Sequence, residues 1–564
     1  MIDFTKYGIT PIGPLPNERQ LAHYRMGKKA FFHFGVNTFT DLEWGNGTEL
    51  EKIFNPSSLD IRQWIRSIKE SGFQLAIITA KHHDGFCLWP SKFTEHSIKN
   101  SPYKDGNGDI IREFTDACRE YGIKVGVYIS PWDRNSPWWG SENYSFYFAD
   151  QLRELLTEYG KIDEVWWDGA GSLEAVYHWD LWAKIVREYQ PNACIFGSMG
   201  ATPFVDLRWV GNEKGYAGET HYATIYAKAL TVEERKALNE GDIFGDRYIP
   251  SETDVSIRPG WFYHANQDDQ VKTPAHITKI WFESIGRNSM MLLNFPPDRR
   301  GLLPDKDVEN ALISHRCIEK MLSENFIQHS HIVASNTLNK ELTAQNLSLN
   351  NEDLIWAAEK EQAVIDIMLD GKNEINIMAL EEVVEAGERI MQYKVESISE
   401  TESKLLYEGT SVGFYRAIQI PKQCYTHLRL TILLARANPI LRRISLHYLE
   451  ETKEEVTKNE FFDLAHTPLS EIQYTNDGKT AEISFGGIYP FNAVSFHPKK
   501  TTSYRIFAFN GQFYEKIKEG KSDAVWDKIL MPSTIDNSYK IKIETESGFF
   551  EEDPIEVSLI KNNG

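Results

Sequence analysis

The stretch DIIREFTDACREYGIKVGVYIS, residues 109–130, holds one repeat of the fold. Asp109 caps an amphipathic helix that stops at Gly122, and the apolar run Ile123 to Ser130 follows at once as a strand. A helix ended by glycine and followed directly by an apolar strand is the unit of a parallel sheet with crossover helices. Upstream, Ser57 and Ser58 cap a helix that stops at Gly72, ahead of a strand over Gln74 to Lys81. Downstream, the helix Phe146 to Tyr159 stops at Gly160 and the strand Glu164 to Asp168 follows. Ala30 to Val36, Ala193 to Gly197, Arg208 to Gly211, Tyr248 to Pro250 and Ser289 to Phe295 bring the strands to eight. Eight such units in about 300 residues predict a closed (β/α)8 TIM-like barrel. An open doubly wound sheet would carry a G-x-G-x-x-G turn after its first strand, and none is present. Between Ala193 and Gly211 no helix separates strands five and six, so a loop replaces one barrel helix.

The chain has 564 residues, more than one barrel needs. After about residue 330 the rhythm changes to short alternating segments. They include Ala363 to Leu369, Glu374 to Ala379, His427 to Leu434 and Ile444 to Tyr448, then Ile483 to Phe485, Ala493 to His497, Tyr504 to Phe509 and Lys540 to Glu544. The expected division is a catalytic barrel over 1–330, a β-sandwich over 331–450 and a second β-rich domain over 451–564. The middle part resembles a discoidin-like carbohydrate-binding sandwich in its Trp356 strand, its Gly413-Phe414-Tyr415-Arg416 segment and its Ala435-Arg436-Ala437 run. Glycan binding and simple packing against the barrel are both open roles for these β-rich parts.

Composition narrows the partners. A net charge of -20 repels phosphate backbones, so nucleic acid is not an expected partner. No apolar run reaches the roughly 18 residues of a membrane span, and the start Met1-Ile2-Asp3-Phe4 is no signal peptide. The five cysteines are scattered without C-x-x-C spacing, which indicates neither a disulfide framework nor a zinc site. An aromatic share of 12% suits the apolar faces of sugar rings as well as protein cores.

In such a barrel the C-terminal ends of the strands converge on one face. There the sequence places His33, His82-His83-Asp84, Tyr128, Asp168, Glu213, and Glu252 with Asp254. Carboxylates among His, Tyr and Trp compose a sugar-hydrolysing pocket, because acetal cleavage needs one carboxylic acid to protonate the leaving oxygen and one carboxylate facing the anomeric carbon. Asp168 is the sharpest candidate, since Val165-Trp166-Trp167-Asp168-Gly169 ends an apolar strand in an acid beside glycine. A helix-capping or Arg-paired aspartate is its bland counterpart. Position leaves the acid role divided between Glu213 and Glu252. His82 and His83 lack metal-ligand spacing, although a metal-dependent hydrolase using them with Asp84 is a rival reading, as is a non-catalytic carbohydrate-binding barrel.

Phe32-His33-Phe34-Gly35, Glu43-Trp44, Ala80-Lys81-His82-His83-Asp84-Gly85-Phe86, Val127-Tyr128-Ile129-Ser130-Pro131-Trp132 and Val165-Trp166-Trp167-Asp168-Gly169 stand in the order found in the α-L-fucosidases of glycoside hydrolase family twenty-nine. The resemblance spans about residues 10 to 330. Many relatives have His-Trp-Gly and Trp-Phe-Asp-Gly at the first and last motifs, and both departures keep an aromatic. The resemblance implies retaining cleavage of terminal α-L-fucose with Asp168 as nucleophile and no cofactor or metal. Gly211-Asn212-Glu213 and Ser256-Ile257-Arg258-Pro259-Gly260-Trp261 are similar to the subgroup restricted to α-1,3 and α-1,4 linkages of branched, Lewis-type glycans, which makes Glu213 the acid/base. A broad-specificity fucosidase is the alternative. By the same resemblance His33, Glu43, Trp44, His82, His83, Tyr128, Trp166, Arg258 and Trp261 hold the sugar. The implied partner is a fucosylated oligosaccharide or glycoconjugate, and the expected location is secreted or periplasmic, with any signal segment removed.

Overall fold

The computed structural model describes residues 2–169, 172, 175–231, 234–450, 471–475, 477–496, 498–509, 514–522, 527–549 and 555–558. Eight parallel strands close a barrel in chain order. They are β1 (Lys28–Phe32), β2 (Leu75–Lys81), β3 (Lys124–Ile129), β4 (Glu164–Trp166), β5 (Cys194–Gly197), β6 (Leu207–Trp209), β7 (Ser251–Ser256) and β8 (Met290–Asn294). Closure is the pairing of β1 with β8, where Phe31 lies opposite Asn294, while Phe31 meets Ile77 of β2 on its other side.

The repeat read from residues 109–130 forms as expected. The Asp109 side chain accepts a hydrogen bond from the Arg112 amide, the helix runs Ile110–Tyr121, and Gly122 ends it in the left-handed region. The preceding helix, Ile61–Glu70, is capped by Asp60 and not by Ser57 or Ser58, because the Asp60 carboxylate reaches the Gln63 amide. Between β5 and β6 a 3-10 turn, Met199–Phe204, stands where a barrel helix would be. The seventh strand lies a few residues beyond the expected Tyr248 to Pro250. Tyr248 pairs instead in a two-stranded hairpin, Arg247–Tyr248 against Thr224–Ile225. An apolar pattern could not locate β7, whose residues Ser-Glu-Thr-Asp-Val-Ser are all buried and mostly polar. Their polar atoms are satisfied inside the barrel, for example Ser251 and Thr253 by Ser289.

Two antiparallel sheets follow, one of five strands and one of four, enclosing a core that includes Trp356, Ile365, Tyr393, Leu430 and Ile444. This unit docks on segments that lead into the barrel strands. Tyr24, ahead of β1, stacks on Phe414 with ring centroids 4.7 Å apart, and Asn288, ahead of β8, donates to Glu388 at 2.7 Å. The remaining strands form an antiparallel sheet with its own core of Ile483, Phe496, Ile506 and Ile543. The expected break at 450/451 abuts residues 451–470, and His497 ends one expected strand; both lie outside the described residues. Among the described residues no helix is long and apolar enough to cross a membrane.

Candidate active site

The strand ends build one cavity. β1 contributes Phe31 and then His33, and β2 leads into His82 and His83. β3 supplies Tyr128, and β4 supplies Trp166 with Asp168 just past its end. β6 gives Trp209 and, after a turn, Glu213; β7 gives Asp254, and the loop beyond it Trp261. Glu43 and Trp44 enter from the segment after β1. Gly211 makes the turn toward Glu213 possible, since its φ of 86° is in the left-handed region and a Cβ there would stand 3.2 Å from the Arg235 carbonyl oxygen.

Asp168 accepts a hydrogen bond from the Tyr128 hydroxyl at 3.1 Å, and His83 Nε2 lies 3.5 Å from the same oxygen, Oδ2. Glu213 Oε2 accepts from the Trp261 indole at 3.3 Å. Burial against the aromatic walls, then the negative charge of Asp168, push the Glu213 carboxyl up to about 8, and the indole N–H opposes them. That shift favours Glu213 as a proton donor at neutral pH.

The imidazoles are neutral. Burial pushes His33 down to about 3 and holds His82 and His83 well below the usual range, with the neighbouring imidazoles adding to the effect. The Asn294 amide nitrogen donates to Ser256 Oγ and to the Trp261 carbonyl, so its oxygen is the group facing His33 Nδ1 at 2.8 Å. His33 Nδ1 must then carry the proton, which leaves Nε2 as an acceptor for a hydroxyl. Glu43 is fixed from three sides. Its oxygens accept from the Trp261 and Phe262 amides and from His264 Nε2, and His264 Nδ1 reaches Asp41 at 2.8 Å.

Residues 18–313 match the family model described as alpha-L-fucosidase. The chain belongs to the α-L-fucosidases of glycoside hydrolase family 29. Alpha-L-fucosidase 1 of Arabidopsis thaliana is 36% identical over 453 residues, covering 78% of this chain and 88% of the plant protein. A glycoside hydrolase family 29 member from a rumen bacterium superposes with a TM-score of 0.72 at 31% identity, over 98% of this chain and all of that one. A Ruminococcus gnavus fucosidase of the same family, solved in complex with fucose, gives a TM-score of 0.72 at 27% identity, covering 78% and 96%.

Of the residues expected to hold sugar in this fucosidase, His33, Glu43, Trp44, His82, His83, Tyr128, Trp166 and Trp261 line the cavity with Asp168 and Glu213. Arg258 does not. Its guanidinium is 1% exposed, paired with Asp307 at 2.7 and 2.9 Å and with Asp268 at 2.7 Å, so its donors face carboxylates of the protein. Glu252 is also outside the lining. It lies in the barrel interior, bonded to Lys29 Nζ and to the Trp166 indole, which removes the positional tie with Glu213. Asp84 is occupied by the Phe86 amide and the Asn37 side chain.

Phe31, Trp167, Phe196, Ser198 and Trp209 also line the wall without having been expected to hold the sugar, and Asp254, which the sequence set at a strand end, joins them. Alternation along a strand was the available signal. Phe31 lies two residues before His33, and Asp254 two after Glu252, on shared faces. Burial, then Glu213, drives the Asp254 carboxyl well above its usual range, and its Oδ1 accepts from the Trp209 indole at 2.9 Å.

Proposed function

We propose that this fucosidase acts by double displacement with retention, with Asp168 as nucleophile and Glu213 as acid/base, on fucose linked α-1,3 or α-1,4 in branched, Lewis-type glycans. The observation that carries the reading is that Asp168 and Glu213 line one cavity, where burial and the Asp168 charge raise the Glu213 carboxyl. In the first step Asp168 attacks the anomeric carbon while Glu213 protonates the departing oxygen, forming a glycosyl ester and a free alcohol. In the second, Glu213 deprotonates a water that attacks the same carbon, and Asp168 leaves as carboxylate. Tyr128 and His83 orient Asp168, and His33, His82 and Glu43 are placed for the sugar hydroxyls. The Phe31 and Phe196 rings suit the methyl of a six-deoxy sugar, where the extra hydroxyl of galactose would be unpaired. The linkage preference draws on the Trp261 indole, at the end of the Arg-Pro-Gly-Trp segment, donating to Glu213.

A panel of defined fucosylated oligosaccharides, with the anomer of released fucose followed by NMR, tests all three elements. The α anomer should appear first, from α-1,3 and α-1,4 substrates. Initial β-fucose would refute retention, and equal rates on α-1,2 and α-1,6 linkages would refute the restriction. Asp168→Asn should lower kcat by about 10³-fold or more while sugar still binds. Glu213→Gln should lower kcat/KM roughly 10²- to 10⁴-fold on oligosaccharides and far less on fucosyl fluoride, whose leaving group needs no proton, although kcat on the fluoride should also fall because the second step loses its base.

A further inference from the structure

The third sheet reaches the catalytic mouth. Phe509 closes its strand Thr502–Phe509 and sets its ring against Trp44 of the cavity wall, with centroids 6.0 Å apart at 70°. Trp44 in turn meets Trp132, which follows β3, at 5.3 Å and 82°. Phe509 also packs on Tyr514, the first residue of the paired strand Tyr514–Ser522, at 5.2 Å. Glu515, next to Tyr514, comes to 3.7 Å from Arg235, whose carbonyl borders the Gly211 turn. The two strand ends thus touch barrel segments that follow β1 and β6, both at the end where Asp168 and Glu213 sit.

A terminal fucose in the cavity has to present its glycosidic oxygen to Glu213, and the rest of the glycan must leave through the mouth. The Phe509 ring, from outside the barrel, sits against Trp44 of that cavity wall. Aromatic rings set edge to face present flat apolar surface to the C–H face of a pyranose. Lys540 Nζ, 5.2 Å above the Phe509 ring and paired with Glu482 at 2.6 Å, adds a cation beside that surface for hydroxyls at the sugar's rim.

We propose that Phe509 is a specificity-determining residue of the leaving-group subsite, forming with Trp44 and Trp132 the wall that receives the sugar to which fucose is attached. The inference rests on the proposed role of Glu213 as the acid on the leaving-group side. It assigns the third sheet to substrate selection in addition to packing.

The test compares two substrates in the full-length enzyme. One is a branched trisaccharide carrying α-1,3- or α-1,4-linked fucose, and the other is α-L-fucosyl fluoride, whose leaving group is too small to reach Phe509. Phe509→Ala should lower kcat/KM for the trisaccharide roughly 3- to 10-fold, as expected for loss of one ring contact, and leave the fluoride within about twofold. Phe509→Trp should restore most of the loss. Phe509→Leu, similar in bulk and without a ring, should behave as Phe509→Ala and is the deciding variant if alanine impairs folding. An unchanged trisaccharide rate, or an equal fall on both substrates in a variant with a native melting curve, overturns the proposal. Turnover that survives Asp168→Asn would instead overturn the catalytic reading, so the two failures are distinguishable.

Discussion

Trp261 joins three parts of the site through one residue. Its amide fixes Glu43, its carbonyl fixes Asn294 and thereby His33, and its indole N–H stabilises the Glu213 anion. Removing only the indole donor has a defined sign. With Trp261→Phe the Glu213 carboxyl should rise above about 8, so the basic limb of kcat/KM, set by loss of the acid's proton, should move to higher pH. A pH–rate profile of both enzymes checks this, and a shift to lower pH would place the limb on another group. Gly260 is equally constrained. A Cβ there would stand 2.6 Å from Glu43 Oε1, so Gly260→Ala should displace that carboxylate and raise KM.

Within the barrel, three strands carry a charged layer below the cavity. Lys29 of β1 donates to Glu164 of β4 and Glu252 of β7, and all three side chains are fully buried. Burial alone would lower the Lys29 ammonium, but the two carboxylates outweigh it and raise it to about 12. Lys29→Met strands two buried acids without their cation and should cost about 3–5 kcal/mol in urea unfolding at pH 7. His264 ties the loop after β7 to the segment after β1. Burial would lower it, but hydrogen bonds to Asp41 and Glu43 raise it to about 9. A group raised in the folded state from the ordinary 6.5 stabilises fully below that value and loses the contribution as pH climbs through about 9. Unfolding free energy should fall by on the order of 3 kcal/mol across that window. The same measurement on His264→Gln should show no such step.

At the scale of the molecule, the two β-rich parts engage opposite ends of the barrel. The sandwich is locked below by Glu388, which accepts from the Ala223 and Thr224 amides and from Asn288. Glu388→Ala leaves those donors unpaired and should lower stability by about 2–3 kcal/mol with kcat/KM for fucosyl fluoride unchanged, because none of the contacts borders the cavity. Paired thermal melts and kinetics separate the two effects. The third sheet meets the mouth through Phe509, the contact on which the leaving-group proposal stands.

Local rules made much of this readable. Asp109 and Gly122 bracket a helix because a cap and a left-handed stop act within a few residues, and apolar runs such as 75–81 are buried strands wherever they occur. By themselves the residues thus determined the barrel's rhythm and the acids at its strand ends, and the ordered motifs pointed to the family. Arg258, Glu252, β7 and Phe509 depended on the tertiary structure, for one reason. Whether a guanidinium meets sugar or Asp307, whether a glutamate meets solvent or Lys29, and whether a phenylalanine some 300 residues from Glu213 reaches the mouth all turn on neighbours brought by chain closure. Partners so remote leave no mark in the spacing around the residue itself.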